Sequence, residues 1–197
     1  GGEIGLRLER DERFNATLTG FWLNLDSELV FVGDAGGTEA VGASTRRGVE
    51  LSTFLQANDW LSVNFAYTYT DSKLDKDDGA GRRVPGAIES SASLGINGAW
   101  SNGAFASARF RYLGEAPLIE DNSVRSPSST LVNVGGGYRF GRFGIRLDVF
   151  NLFYSSDYDI TYFYASRLEG EPAGGVEDIH FRPLEPRTVR TTFTYHW

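Results

Sequence analysis

Cysteine and methionine are absent, and lysine and histidine occur twice each. No stretch approaches the ~20 consecutive apolar residues of a membrane-spanning helix. Without thiols there can be no disulfide framework, no CxxC redox pair and no thiolate zinc site. Basic residues are also too few for a nucleic-acid partner, with 19 Lys and Arg against 26 Asp and Glu and a formal charge of −7. The arginines fall singly or in pairs, and a polyanion-binding face needs a stripe. No basic segment followed by an apolar core opens the chain, so Gly1 is expected to mark a processed or truncated start.

The missing helix leaves a transmembrane β-barrel open. Barrel strands alternate lipid-facing apolar with lumen-facing polar residues, so their average hydropathy looks soluble. Aromatic content of 14% and 24 glycines favour β structure.

Period-two alternation is indeed the dominant pattern. Between Trp60 and Thr70, Leu61, Val63, Phe65, Tyr67 and Tyr69 alternate with Ser62, Asn64, Ala66, Thr68 and Thr70. The same reading gives one apolar face each to the segments around Leu6, Leu18, Leu51, Leu94, Ala108, Val134, Leu147 and Phe193, nine strands in all. After Gly20 the apolar set moves to Phe21, Leu23 and Leu25, which suggests a bulge or a strand leaving the membrane. Leu131 and Phe150 sit on the polar face.

Short turns at Asp11-Glu12, Asn58-Asp59, Ser101-Asn102-Gly103 and Gly141-Arg142 alternate with long polar stretches at 32–44, 71–86, 114–128 and 154–185. Outer-membrane barrels keep that order, with tight periplasmic turns and long extracellular loops. Trp60, Trp100, Phe140, Phe143 and Trp197 lie at the short-turn ends, and Trp22, Tyr69, Tyr112, Phe153 and Tyr154 near the long-loop ends, as two interfacial girdles would. Trp60 to Tyr69 spans the ~9–11 residues of a tilted crossing strand. An odd strand count places the two ends of the chain on opposite sides. Since complete single-chain bacterial barrels have even counts, further strands are expected upstream.

Several segments then resemble the final barrel strands of TonB-dependent receptors. They are Thr45-Arg46-Arg47-Gly48-Val49-Glu50, Leu131-Val132-Asn133-Val134-Gly135-Gly136-Gly137-Tyr138, Asp148-Val149-Phe150-Asn151-Leu152-Phe153, and Glu185-Pro186-Arg187-Thr188-Val189-Arg190 leading into an aromatic-ended strand. The resemblance spans nearly all of residues 1–197. It implies an all-β, antiparallel up-and-down barrel segment of about nine strands from a barrel of about 22, with the plug and earlier strands absent. It further implies residence in the cell outer membrane among outer-membrane lipid, and contact with the TonB complex through the missing plug. The implied activity is uptake of a scarce ligand of the siderophore, cobalamin or oligosaccharide class. Phe193, Tyr195 and Trp197, all of one parity, would be the outward aromatic signal read by the barrel-assembly machinery.

No catalytic residue, cofactor or metal site is assigned. His180 falls in the long final loop and His196 on the lumen side of the last strand, a poor metal pair. Asp75-Lys76-Asp77-Asp78-Gly79 lacks the spacing and closing Glu of an EF-hand. Lumen-facing Glu50, Arg109, Arg111, Arg139, Arg146, Asp148 and Arg190 are expected to pair with one another, with water or with a plug. Arg109 and Arg111 also stand as ligand candidates, as do Tyr154, Tyr158, Tyr162 and Tyr164. These tyrosines could capture ligand at the barrel mouth or form the core of a hairpin above the membrane. Two alternatives remain: a small complete barrel with a structural or adhesive role, which needs one more strand inside 154–185, and an outer-membrane phospholipase or protease, which needs a catalytic cluster at the rim.

Overall fold

The computed structural model describes residues 1–32, 37–77 and 79–197, and among them there is no α-helix. The strands are β1 (Gly2–Arg10), β2 (Phe14–Leu25), β3 (Leu29–Val32), β4 (Gly37–Ala40), β5 (Ser44–Asn58), β6 (Leu61–Leu74), β7 (Ser90–Ala99), β8 (Ala104–Leu113), β9 (Ser129–Phe140), β10 (Phe143–Phe150), β11 (Tyr158–Ser166), β12 (Val176–Pro183) and β13 (Thr188–Tyr195). Nine of them form one sheet in the order β1-β2-β5-β6-β7-β8-β9-β10-β13. Every pairing is antiparallel.

These are the nine strands that the alternation marks, and the register shows why they hold together. Leu18 lies opposite Leu6 and Leu51, Leu51 opposite Tyr67, and Val63 opposite Leu55 and Ile96. Farther along, Phe110 faces Leu94 and Val132, while Ile145 faces Tyr138 and Phe193. A one-residue slip in any strand would exchange its two faces, so the shared apolar face fixes the register. That face is uncovered by protein: Ile4 is 77% exposed and Phe193 also 77%.

The short turns are built from residues suited to them. Asp11 and Gly141 take positive φ angles of 53° and 57°, conformations that Asp tolerates and Gly adopts freely. The Asn58 side chain accepts the backbone N–H of Trp60 and Leu61, each at 3.0 Å. At this end Trp60 stacks on Trp100 with ring centroids 5.2 Å apart. A second aromatic row runs Tyr138, Phe140, Phe143 and Tyr195 at spacings of 6.3, 5.9 and 5.1 Å.

Two expectations change. No bulge follows Gly20, because β2 pairs without a break from Phe14 to Leu25. The bulge is the one of the two readings that falls, and Leu23 of the shifted apolar set is 41% exposed. In addition, the long connections carry four further strands, in two hairpins. β3 pairs with β4 and β11 with β12, and neither hairpin joins the main sheet. The strands inside 154–185 thus leave the sheet at nine, with β1 and β13 as its edges.

The buried core lies among the long connections, where Val30, Leu74 and Val84 cluster with Val41 and Ala87 packed against them. Pro117, Ala116 and Leu118 are buried nearby. The β6–β7 and β8–β9 connections are tied through Arg83 N–H to Glu120 O at 2.9 Å and Gly86 N–H to Pro117 O at 2.7 Å. The sheet is therefore a wall open to its surroundings on the outer face and roofed at its loop end.

Candidate functional site

The polar face and the loop roof above it are the surfaces able to meet a ligand. Strand alternation sends Arg109, Arg139, Arg146, Thr192, Thr194 and His196 to one side, where with Phe105 they line a recess of about 440 Å³. Phe105 is an aromatic that the sequence pattern left unassigned. Its ring lies over Gly137, where a Cβ would come within 2.5 Å of its Cζ, with the guanidiniums of Arg139 and Arg146 at 5.4 and 5.8 Å from its centre. The Gly-rich run of β9 is what leaves room for it.

Charged groups on this face are paired in part. Asp148 is only 4% exposed and binds Arg146 at 2.7 Å and Arg190 at 3.6 Å, joining β10 to β13. Arg111 reaches Asp159 at the start of β11, at 3.2 Å. Arg109 lines the recess, and Glu50 lies between Thr19 and Thr68 in the ladder. Of the two arginine candidates, Arg111 is engaged with the roof, and Arg109 faces the cavity.

The tyrosines divide in a similar way. Tyr158 stacks on Phe181 at 3.7 Å and Tyr164 on His180 at 3.8 Å, both between β11 and β12. Tyr162 meets Phe31 of the other hairpin at 4.4 Å. These three make contacts of the hairpin-core kind, and Tyr158 and Tyr162 also line a recess with Leu113, Ala116 and Pro127. Tyr154 differs: it is largely exposed, has a positive φ of 57°, and carries Arg187 over its ring at 5.7 Å.

His180 and His196 sit on separate surfaces, the first in the hairpin and the second at the turn end of the recess. In the 75–79 segment, Asp77 accepts the N–H of Gly79 at 2.9 Å within a local turn, while Asp75 accepts the Thr45 hydroxyl of β5 at 2.8 Å. Asp78 lies outside the described residues. At the base of the first hairpin, burial pushes the Glu28 carboxyl up, but hydrogen bonds from Arg46 and Ser44 outweigh it and hold the group below the usual glutamate range.

Residues 2–152 match the family described as TonB dependent receptor-like, beta-barrel. Among solved structures, the ferric-catecholate import receptor Fiu from E. coli K12 (closed form) superposes with a TM-score of 0.73 at 20% identity, over 98% of this chain and 27% of that one. The ferric yersiniabactin uptake receptor FyuA from Yersinia pestis gives 0.72 at 18% identity, over 99% and 29%. The copper transporter OprC gives 0.68 at 19% identity, over 98% and 30%. The chain thus spans less than a third of each of these proteins, and at such identities the likeness concerns the fold.

Proposed function

The chain belongs to the TonB-dependent receptor-like β-barrel family, and from that premise we propose that it forms the last nine strands of an outer-membrane importer driven by the TonB complex. The cargo is a scarce ligand of the siderophore, cobalamin or oligosaccharide class. Transport requires a plug and the remaining strands, which belong to the rest of the protein. The observation that carries the reading is the nine-stranded antiparallel meander with one exposed apolar face.

In this role the recess lined by Arg109, Arg139 and Arg146 faces the plug, and the roof around Tyr154, Tyr158 and Arg111 borders the ligand's entry. Phe193, Tyr195 and Trp197 form the outward set met by the barrel-assembly machinery. The absence of cysteine makes the topology testable in the full-length natural protein, provided the rest of it is also cysteine-free or made so. Single cysteines at Gly174 and Ser123 should react with a membrane-impermeant maleimide on intact cells, and those at Asn102 and Arg142 only after permeabilisation. Labelling in the opposite order would overturn the orientation and the importer reading with it.

A further inference from the structure

We propose that Asp148 and Arg190 form a register lock for the terminal strand, with Arg146 as the group that rejects a slipped alternative. This rests on the barrel reading above but not on the cargo, and it gives the lumen-facing charges of β10 and β13 a part in the fidelity of assembly.

The need for a lock follows from the pairing. Strand β10 is set against β9 across a two-residue turn, so its register is fixed locally. Strand β13 meets β10 only after residues 151–187. A one-residue slip of β13 would exchange its faces, but a two-residue slip preserves the parity of every side chain. The apolar face hardly opposes such a slip. In the ladder as built, Val149, Leu147, Ile145 and Phe143 lie opposite Val189, Thr191, Phe193 and Tyr195. A slip by two in one direction sets Leu147 against Val189 and Phe143 against Phe193. The other direction sets Leu147 against Phe193 and Ile145 against Tyr195.

The polar face discriminates. Asp148 lies opposite Arg190, and Arg146 opposite Thr192. Arg190 reaches Asp148 at 3.6 Å and holds its guanidinium over the Phe150 ring at 4.8 Å. The first slip places Arg190 directly opposite Arg146, and like charges facing each other across a ladder are destabilising. The second carries Arg190 two residues past Asp148, against Phe150. Asp148 is held in place to make the choice: Arg146 Nε donates to both carboxylate oxygens, at 2.8 and 2.9 Å, and the bare backbone of Gly135 seats the group. Fixing a register is the best-attested use of buried charged groups.

The test uses the full-length natural protein, made cysteine-free elsewhere, with cysteines replacing one of three pairs. Val149 and Val189 report the register as built, Leu147 and Val189 the first slip, and Val149 and Thr191 the second. Directly opposite Cα atoms stand ~4.5–5.5 Å apart and diagonal ones ~7–8 Å, while a disulfide reaches about 7 Å. Oxidation by copper phenanthroline in isolated outer membranes therefore reads the register. With the natural charges, only the 149–189 cross-link should form, and Arg190→Lys should keep it. Arg190→Asp repels Asp148 in that register and attracts Arg146 in the first slip, so the 147–189 cross-link should rise by about tenfold. A loss of stability alone would not favour one slip over the other. Where Arg190→Asp leaves too little heat-modifiable barrel, Arg190→Ser should give both the 149–189 and the slipped products. If both variants show the 149–189 cross-link alone in their folded fraction, the proposal is overturned and the register is set at the hairpin base, where Asn151 Nδ2 donates to Glu185 O at 2.9 Å. An equal rise of the two slipped products in Arg190→Asp would overturn the part given to Arg146. None of these outcomes touches the orientation that maleimide labelling tests, so the importer reading stands or falls separately.

Discussion

Asp148 lies directly across the ladder from Gly135, and its carboxylate fills the space where a side chain at Gly135 would stand. The bare backbone of β9 lets this nearly buried carboxylate hold Arg146 and Arg190 together. Gly135→Ala should therefore displace the carboxylate and destabilise the folded barrel by about 1–3 kcal/mol, the usual range for overpacking. A urea midpoint for the purified protein that does not move would refute this. The equally small change Gly174→Ala, at an open loop position, should have little effect.

Phe31 and Tyr162 join hairpins that emerge from opposite ends of the nine-stranded sheet. Tyr162→Ala removes an aromatic contact worth about 0.5–1.5 kcal/mol and should loosen the β11–β12 hairpin. Limited proteolysis on intact cells would register this as faster cleavage near Gly174 and Gly175, with the barrel unharmed. Unaltered cleavage would mean that the contact does not restrain the hairpin.

Glu28 gives the loop roof a pH dependence whose sign follows from its lowered carboxyl. A carboxylate favoured in the folded state contributes stability above its unfolded pKa and loses it as pH falls through the lowered folded value. Hydrogen exchange of the Ser44 and Arg46 amides should thus accelerate on acidification below the ordinary glutamate range, beyond the intrinsic pH effect. Glu28→Gln should show fast exchange at neutral pH and lose that dependence. An acid response identical in wild type and variant would assign it to other groups.

Phe193 and Tyr195 point to the apolar face beside Ile145 and Phe143, while Thr192 and Thr194 line the recess. Changing both aromatics to Ser should lower the amount of receptor in the outer membrane several-fold, whereas Ser at both threonines should not. Quantitative immunoblots of membrane fractions decide this, and equal levels would remove the assembly role.

The wall was legible in the sequence because lipid on one side and water or protein on the other impose a period of two on every strand. The turns were legible because Asp11, Asn58, Gly103 and Gly141 carry the chemistry of tight reversals. The roof was less so. Strands β3 and β4 lie where neither face meets lipid, so Val30 and Phe31 show no alternation to read. The stack of Tyr164 on His180 depends on a hairpin register that no local pattern in 154–185 specifies. Phe105 was hidden for another reason: its place over Gly137 needs a glycine on the neighbouring strand, whereas the pairing of Asp148 with lumen-facing arginines was legible and only its choice of Arg146 and Arg190 was not.

The insertion of β11 and β12 also sets the order in which ladders can form. Phe140 and Phe143 pair across a two-residue turn, while Phe150 meets Thr188 only after residues 151–187 have been brought round. Closure entropy grows with the logarithm of loop length, roughly (3/2)RT ln n, so this ladder bears a greater search cost than its neighbours. A hairpin that has already folded brings Tyr158 beside Pro183 and leaves only short tethers on either side. Once formed, the β11–β12 hairpin shortens the effective loop that must be closed for β13 to pair with β10.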